Sequence, residues 1–467
     1  MMTSGFREKF IGNRAFYRRL MILVAPIIVQ QGITSFVNLL DNVMVGGLGT
    51  ESISAVAIVN QILMVFNLAL FGGLSGASIF GAQFFGKGDY EGMKSTFRFR
   101  LILGIVLTAA AILVCLSFGE YFISGFLSES SDGGDLVLAM DRARSYMAIM
   151  VSGIVPFMLV QCITGMLRES GETFVPMVAS ISAIFINLVL NYALIFGHFG
   201  LPRLEVRGAA IATVTARIAE FLIVSVWAFT HTDRCPFFKG ALRSLYVPGK
   251  LTKSIIKVGF PLFVNEFLWS LGMTVINQCY STRGLSSVAA VNITMTISNL
   301  FAIVMMSSGS AISIMVGQAL GSGDKKAARD LDTKLIFTAF VANTLVAAVL
   351  FAFSGAIPKL YNVDDAVRHL ASSLLRLEAL YFPMGAVINA VYFTIRSGGK
   401  TFITFLFDSF YTWVVPVSLA YCLAHFTDLG VFTMFLMVRG IDIIKLVIGL
   451  VMLKRDFWLN DMVHDMN

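Results

Sequence analysis

Long apolar stretches, separated by short polar segments and by breaks rich in Gly or Pro, dominate this chain of 467 residues. A helix needs about 20 mostly apolar residues to cross the hydrocarbon core of a bilayer. Stretches of that length recur along the whole sequence, and the pattern predicts twelve membrane-spanning helices. The predicted spans are residues 20–46, 53–82, 96–118, 143–167, 174–196, 207–230, 255–281, 287–318, 332–354, 370–395, 401–425 and 430–453.

The composition points to the same class of protein. Hydrophobic residues make up 57% of the chain, charged residues make up 13%, and the mean hydropathy is +0.80. Soluble domains contain about 45–50% apolar and about 25% charged residues. A soluble protein of this length would need more polar surface than these residues supply, so we expect an all-α integral membrane protein.

The net charge of +7 is explained by membrane topology. With twelve spans, most of the 35 Lys and Arg residues fall in the N-terminal tail and in the segments that follow the even-numbered spans. The opposite loops hold Arg142, Arg144, Arg203, Arg207, Arg283, Lys359 and Arg368. Because loops rich in Lys and Arg stay in the cytoplasm, we expect both termini to be cytoplasmic. The basic excess therefore does not indicate a nucleic-acid partner.

The sequence carries no motif that indicates an enzyme. It lacks the G-x-x-x-x-G-K-[ST], H-E-x-x-H and G-x-S-x-G patterns of phosphate-binding loops, zinc proteases and serine hydrolases. Its five cysteines are scattered and include no C-x-x-C pair, so we expect neither disulfides nor a metal centre beyond a coupling Na⁺. We therefore expect no cofactor, and we expect an ion gradient rather than ATP to supply the energy.

The second part of the sequence resembles the first. A shift of 235 residues places Pro26 on Pro261, and it places the loop Gln83-Phe-Phe-Gly-Lys-Gly-Asp89 on Gln318-Ala-Leu-Gly-Ser-Gly-Asp324. Such ordered matches along a chain are the mark of an internal repeat. A further match, at a slightly smaller shift, joins Arg168–Phe174 to Arg396–Phe402.

The repeat predicts two lobes. Six spans is an even number, so both copies enter the membrane in the same sense. We call residues 1–231 the N-terminal half and residues 254–467 the C-terminal half, and we expect each to form one of two pseudo-symmetric six-helix lobes. The basic stretch 232–253 is the predicted cytoplasmic linker. Transporters built from such parallel repeats bind substrate between their halves and open to each side in turn.

Four polar side chains stand out in the predicted spans of the N-terminal half. An ionisable group within a span costs about 2.5–3.5 kcal/mol, so Asp41 in the first span needs a specific role. Asn187 and Asn191 lie four residues apart in the fifth span, hence on one face of a helix. Thr213 lies in the sixth span. The alternative for both asparagines is interhelical hydrogen bonding.

These features resemble the multidrug and toxic compound extrusion (MATE) family, particularly its bacterial DinF-like and NorM-like members. The resemblance covers essentially the whole chain: two six-helix halves, the first span with Pro26 and Asp41, and the paired glycine-containing loops. It implies a coupling-ion site in which Asp41, Asn187 and Thr213 match the family's carboxylate, asparagine and threonine. Asn191 stands where several members carry a second aspartate.

The identity of the coupling ion stays open at this point. One carboxylate with amide and hydroxyl oxygens suits a single Na⁺, whereas burial of Asp41 would favour binding of a proton. The resemblance implies an antiporter that exports amphipathic, cationic compounds in exchange for either ion. We expect it to act as a monomer in a bacterial plasma membrane. Pro26, which removes one helical hydrogen bond, is the predicted hinge.

The predicted spans of the C-terminal half carry acids of their own. Glu266 follows Pro261 in the seventh span, and Asp408 lies in the eleventh. We expect either of them to contact a cationic substrate or to relay protons, and the alternative is a hydrogen bond within this half.

Other charges in the spans are expected to neutralise each other locally. Two pairs lie at i,i+3 spacing, which allows contact on one helical face. We also expect Glu378 to be neutralised by its neighbour Arg376. The two pairs are Arg217 with Glu220 and Arg439 with Asp442.

Two other functions are compatible with a duplicated bundle. A flippase for lipid-linked saccharides would present cationic residues to anionic diphosphate groups, whereas the isolated charges here are mainly acids. An intramembrane sensor that transports nothing would be expected to carry an attached signalling domain. The sequence favours the antiporter over both.

Overall fold

The computed structural model describes residues 7–129 and 136–464, with the side chains of these ranges except those of Leu39, Asn42, Ser128 and Glu129. All regular secondary structure in this part of the chain is helical, as predicted. A helix satisfies its backbone polar groups internally, which is the requirement for a segment in lipid. The outer ends of the predicted lobes, residues 1–6 and 465–467, lie outside the described residues.

The described N-terminal half contains seven long helices. The fourth and fifth are separated by a single residue and together occupy the predicted fourth span. The helices are α1 Arg14–Gly46, α2 Thr50–Lys87, α3 Tyr90–Glu129, α4 Leu136–Ser152, α5 Ile154–Glu169, α6 Phe174–Phe196 and α7 Glu205–Thr230.

The C-terminal half also divides six predicted spans among seven helices, but here the last span, and not the fourth, is divided between two of them. Its fifth helix contains two wide, π-helical turns. The helices are α8 Gly249–Ser281, α9 Leu285–Gly321, α10 Lys325–Phe353, α11 Asp365–Ser397, α12 Thr401–Phe426, α13 Val431–Gly440 and α14 Asp442–Lys454.

Among the described residues, ten helices are long and apolar enough to cross a membrane, and the pair α4 and α5, bent by 42°, makes an eleventh candidate. The predicted twelfth span is occupied by α13 and α14, which are interrupted at Ile441. The charged residues Arg439, Asp442 and Lys445 crowd this break. The last span is therefore divided into helices of 10 and 13 residues, each too short to cross a membrane alone.

Large apolar side chains cover the outside of the helices. On α3, Val106, Leu113 and Leu116 are 58%, 65% and 72% exposed. Their spacing places them along one face of the helix. In a protein with too few charges for an aqueous surface, such a face lies against lipid acyl chains.

The first helix and the first repeated loop of each half match closely. Helices α1 and α8 each contain 33 residues and carry Pro26 and Pro261 at the same position. The glycines of the paired loops also agree, because Gly88 and Gly323 adopt φ angles of 76° and 82°. Few residues other than glycine tolerate this left-handed region. The internal repeat is thus a repeat of conformation as well as of sequence.

The described chain forms two compact units. One comprises Met1–Val24, Ala82–Asp89 and Lys253–Asn467, and the other comprises Ala25–Gly81 and Tyr90–Thr252. Helix α1 therefore passes from one unit to the other immediately before Pro26. The boundaries of the two lobes and of the linker at residues 232–253 stay a prediction.

Within the first unit, the two repeated loops meet in a reciprocal contact. A Cβ atom added to Gly86 would lie 1.9 Å from the carbonyl oxygen of Gln318, and one added to Gly321 would lie 1.9 Å from the carbonyl oxygen of Gln83. Neither position has room for a side chain. We call this arrangement the glycine clasp.

In the second unit, small residues allow α6 and α7 to pack closely. Ala179 and Ala183 of α6 are buried, as are Ala209 and Ala212 of α7. A Cβ atom added to Gly208 would lie 2.6 Å from the carbonyl oxygen of Leu194. Such small-residue contacts are typical of helix pairs in membranes. The close approach matters because α6 and α7 carry three of the predicted site residues.

Candidate coupling-ion site

The structure brings together all four polar residues that the sequence singles out in the N-terminal half. The side-chain nitrogen of Asn191 donates to Oδ1 of Asp41 at 2.8 Å and lies 3.1 Å from Oδ1 of Asn187. The Asn187 nitrogen lies 3.3 Å from the hydroxyl of Thr213. Helices α1, α6 and α7 each contribute to this group, which we call the Asp41 cluster.

The amide of Asn187 can present either its oxygen or its nitrogen to Asp41, and the nitrogen is favoured when no cation lies beside the carboxylate. Turned by half a rotation, its nitrogen would lie 3.2 and 3.1 Å from the two carboxylate oxygens of Asp41, and its oxygen would accept a hydrogen bond from Thr213 at 3.3 Å. An amide nitrogen directed at the carboxylate stabilises its negative charge, whereas an amide oxygen offers a ligand to a cation. The same residues can therefore serve a bare carboxylate or a carboxylate with a bound cation.

The oxygen of Asn191 is a buried acceptor without a partner. Asn191 is 2% exposed, and its Oδ1 accepts no hydrogen bond from the part of the chain that the structure describes. Leaving a buried polar atom unsatisfied costs about 1–3 kcal/mol. Carboxylate, amide and hydroxyl oxygens together form a donor set suited to a hard cation such as Na⁺. The residues present thus fit a monovalent cation at Asp41.

Tyr146 of α4 also lies beside the Asp41 cluster, and the sequence did not identify it. The residue is 4% exposed, its hydroxyl bonds to the side chain of Asn60, and it lies near enough to Asp41 to interact with it electrostatically. A tyrosine in an apolar span is no signal by itself, because most such residues pack or face the interface. Only the fold places this one beside the carboxylate.

A second polar network lies in the same unit. Arg168 donates to the Gln30 side chain at 3.0 Å, and Gln30 donates to the hydroxyl of Ser180 at 2.6 Å. Ser180 in turn donates a hydrogen bond to the carboxylate of Glu220. Glu220 therefore bonds to another helix, although the charge of Arg217 also acts on it.

In the C-terminal half, both predicted acids belong to one hydrogen-bonded group. Lys445 donates to Oδ1 of Asp408 at 2.8 Å, and Asn265 donates to Oδ2 at 3.0 Å. The hydroxyl of Tyr392 donates to Glu266 at 3.2 Å and lies 3.4 Å from the same Asn265 nitrogen. These five residues form the Asp408 cluster. Sequence reasoning identified Glu266 and Asp408 but not the other three.

One local prediction in this half is wrong, and another is only partly right. Arg439 forms its ion pair with Glu378, at 2.5 Å, while its charge also acts on Asp442 three residues later. Asp442 accepts a hydrogen bond from Tyr381 at 2.9 Å. Glu378 is 2% exposed and is neutralised by Arg439 of a different helix, not by its sequence neighbour Arg376. Helical spacing shows which residues share a face but not which helix lies opposite.

The duplicated organisation is matched independently by a family model. The MatE model matches residues 26–193 and again residues 261–422. The two matched segments begin at Pro26 and Pro261, the first pair of the internal repeat. The chain belongs to the MATE family. Its members are membrane transporters, in agreement with the absence of enzyme motifs from the sequence.

Curated relatives of this MATE protein extend over nearly its whole length. A protein described as a probable multidrug resistance protein NorM, from Thermotoga maritima, is 23% identical over 88% of this chain and 87% of its own. A protein of the same description from Bacillus cereus is 26% identical over 91% of this chain and 90% of its own.

Solved structures agree with the fold. A crystal structure of a MATE protein in a bent conformation superimposes with a TM-score of 0.84, covering 95% of this chain and 96% of that chain at 22% identity. At this identity the likeness concerns the fold alone. The all-α, two-half membrane architecture predicted from the sequence is thereby confirmed.

Proposed function

We propose that this MATE protein is a secondary antiporter that exports amphipathic, cationic organic compounds in exchange for one cation, Na⁺ or H⁺. The observation that carries the proposal is the state of Asp41. This carboxylate is partly buried and is held by an asparagine amide. It forms no ion pair with a basic side chain in the described ranges.

A bound cation would stabilise a carboxylate in this position. Burial of a charged group within a span costs about 2.5–3.5 kcal/mol, and amide hydrogen bonds offset part of that cost. A cation that enters from outside neutralises the carboxylate and also gives the unpartnered oxygen of Asn191 a partner. Each charge that crosses a potential of about 100 mV releases about 2.3 kcal/mol. Cation binding at Asp41 would therefore trigger the transport cycle, and movement of the cation down its electrochemical gradient would drive it.

Pro26 connects this site to a conformational change in the proposal. The proline lies within α1, which also carries Asp41, and the boundary between the two compact units falls directly before it. A helix bends most readily where a proline removes a backbone hydrogen bond. Cation binding would bend α1 at Pro26 and lower the affinity for the exported compound.

The charge balance of the spans supports cationic cargo rather than the diphosphate group of a lipid-linked saccharide. Arg100, Arg439 and Lys445 are each paired with a carboxylate. Those pairs leave these three cations neutralised and unsuited to hold an anionic group. We further propose that the protein acts as a monomer in the plasma membrane, with both termini in the cytoplasm, as the basic loops predict.

The test is efflux of a fluorescent cationic dye from liposomes that contain the purified protein. A Na⁺ gradient and a pH gradient are imposed separately, and the gradient that drives efflux identifies the ion. Asp41→Asn should lose gradient-driven efflux, whereas the control Asp141→Asn, which removes an exposed carboxylate of α4, should keep it.

Two outcomes would contradict the proposal. If Asp41→Asn transports like the unmodified protein under the driving gradient, the coupling site lies elsewhere. If folded, unmodified protein moves no dye under either gradient, export of cationic compounds is wrong. Lipid-linked saccharides would then be the next substrates to assay.

A further inference from the structure

Lys445 occupies an unusual place on its helix. Of the residues of α14, Lys445 and Gly449 are the buried ones, whereas Ile444, Val447 and Ile448 are exposed. The helix therefore directs its one central lysine inwards and its aliphatic side chains outwards. A buried ammonium is costly unless it has a partner, so its partner defines its role.

That partner is the carboxylate of Asp408. The ammonium lies 2.8 Å from Oδ1, and the two side chains are 9% and 16% exposed. The rings of Phe407 and Tyr411 flank the ammonium, with their centroids at 5.3 and 5.6 Å. A carboxylate oxygen on one side and aromatic faces around it form a surrounding that stabilises a cation.

The amide beside this carboxylate has a fixed orientation. The oxygen of Asn265 accepts hydrogen bonds from the backbone nitrogen of Ser409 at 3.2 Å and from its hydroxyl at 2.8 Å. Its nitrogen must therefore point at Asp408. Asp408 and Ser409 both lie in the π-helical turn Leu406–Phe410, a feature that often marks functional sites. Unlike Asn187, this amide cannot turn its oxygen to a cation.

Glu266, the second acid of the Asp408 cluster, also has a positive charge nearby. Glu266 accepts a hydrogen bond from Tyr392 and lies within electrostatic range of the guanidinium of Arg396. Asp442, one turn before Lys445, bonds to Tyr381. Each acid of the Asp408 cluster thus has a basic group of the same chain nearby.

We propose that the ammonium of Lys445 takes the position that a mobile cation would take beside Asp408, so that the C-terminal half carries a permanently bound cation. Removing the ammonium while keeping Asp408 would create a new cation site there. The inference assigns all exchange of ions during transport to the N-terminal half, and in this respect it rests on the proposed coupling at Asp41.

The test measures binding of radioactive Na⁺ to the full-length protein in detergent, together with its melting midpoint in Na⁺, in choline and at acid pH. Asp41→Asn is used as the background so that the N-terminal site does not contribute. The double variant Asp41→Asn/Lys445→Met should bind Na⁺ at least about tenfold more tightly than Asp41→Asn alone, equivalent to about 1.4 kcal/mol. If the new site takes a proton instead, the melting midpoint of the double variant should rise as the pH falls. Adding Asp408→Asn as well should remove both effects, and Lys445→Arg should show neither.

The outcomes separate this inference from the proposed function. If Asp41→Asn alone still binds Na⁺, the coupling proposal is at fault, and the gain on adding Lys445→Met is still measured by difference. If the Lys445→Met variant is folded but responds to neither Na⁺ nor acid, the inference is wrong. If that variant does not fold, recovery of folded protein on adding Asp408→Asn supports the inference, and failure to recover overturns it.

Discussion

The two halves of this transporter place a carboxylate among polar neighbours in different ways. In the Asp41 cluster the neighbours are amides and a hydroxyl, one amide can present either its nitrogen or its oxygen to the carboxylate, and one buried oxygen has no partner among the described residues. In the Asp408 cluster the neighbours are an ammonium and an amide of fixed orientation. In our proposals, the duplicated fold therefore carries one carboxylate that exchanges its cation and one whose cation is the ammonium of a covalently attached side chain.

Stability should separate the clusters most clearly. Lys445→Met leaves the partly buried carboxylate of Asp408 without its counter-charge. Removal of one partner of a buried pair costs about 3–5 kcal/mol, and the loss here should lie at the lower end of that range. The double variant Lys445→Met/Asp408→Asn removes both charges and should recover most of this loss. Thermal unfolding in detergent measures both. A double variant as unstable as the single one would show that the pair is not what holds this region.

Gradient-driven transport, in contrast to stability, should depend on Asp41 and not on the Lys445–Asp408 pair. A unit charge at about 4 Å contributes about 4 kcal/mol at an effective dielectric constant of about 20. Asp41→Asn should therefore weaken cation binding by about a thousandfold, measured as the ion concentration for half-maximal efflux. The Lys445→Met/Asp408→Asn variant should keep gradient-driven efflux. Loss of coupling in that folded double variant would mean that both halves exchange ions.

The close packing of α6 against α7 should affect cation binding at the Asp41 cluster indirectly. Gly208→Ala places a methyl group against the carbonyl of Leu194, and overpacking of this kind costs about 1–3 kcal/mol. The α6–α7 pair should separate slightly and weaken cation binding several-fold. Gly32→Ala is the matched control, because a Cβ atom there meets nothing within 4 Å. Equal effects of the two substitutions would exclude the packing argument.

Asn191→Asp should change which ion drives transport. A second carboxylate beside Asp41 repels the first, and two such groups share a proton readily. About 1.4 kcal/mol of repulsion would favour proton binding about tenfold. The ratio of efflux driven by pH to efflux driven by Na⁺ should rise accordingly, and Asn191→Ser should not raise it. An unchanged ratio would mean that this position does not select the ion.

Thr213→Val should have a small effect. Its hydroxyl contacts Asn187 at 3.3 Å, and a typical hydrogen bond contributes about 0.5–1.5 kcal/mol. Cation affinity, measured by isotope binding, should fall about two- to tenfold, while Thr213→Ser should stay close to the unmodified protein. A loss as large as that of Asp41→Asn would make the hydroxyl a principal ligand.

The sequence predicted the fold well because lipid imposes a simple pattern. Span length follows from bilayer thickness, and the repeat follows from matched residues such as Pro26 and Pro261. The last span was harder to predict, because the break at Ile441 lies inside an apolar stretch that contains Arg439 and Asp442. A periodic pattern does not show where one helix ends and the next begins within such a stretch.

The candidate sites were predicted only in part. Asp41 and Asn191 could be proposed because a lone carboxylate and an asparagine pair are expensive in a span. The role of Lys445 could not, because its partner Asp408 lies in another helix and no local spacing joins them. Arg439 illustrates the same limit, since its sequence neighbours suggested Asp442 but its actual partner is Glu378.

The glycine clasp has the form of an isologous dimer contact within a single chain. Gly86 meets the backbone of Gln318 as Gly321 meets that of Gln83, so the same patch is used twice, as in a two-fold symmetric dimer. A substitution that enlarges either residue therefore disturbs a surface that both repeats share. The polar clusters of the two halves differ, whereas the two loops share a contact that leaves no room for a larger residue at either glycine.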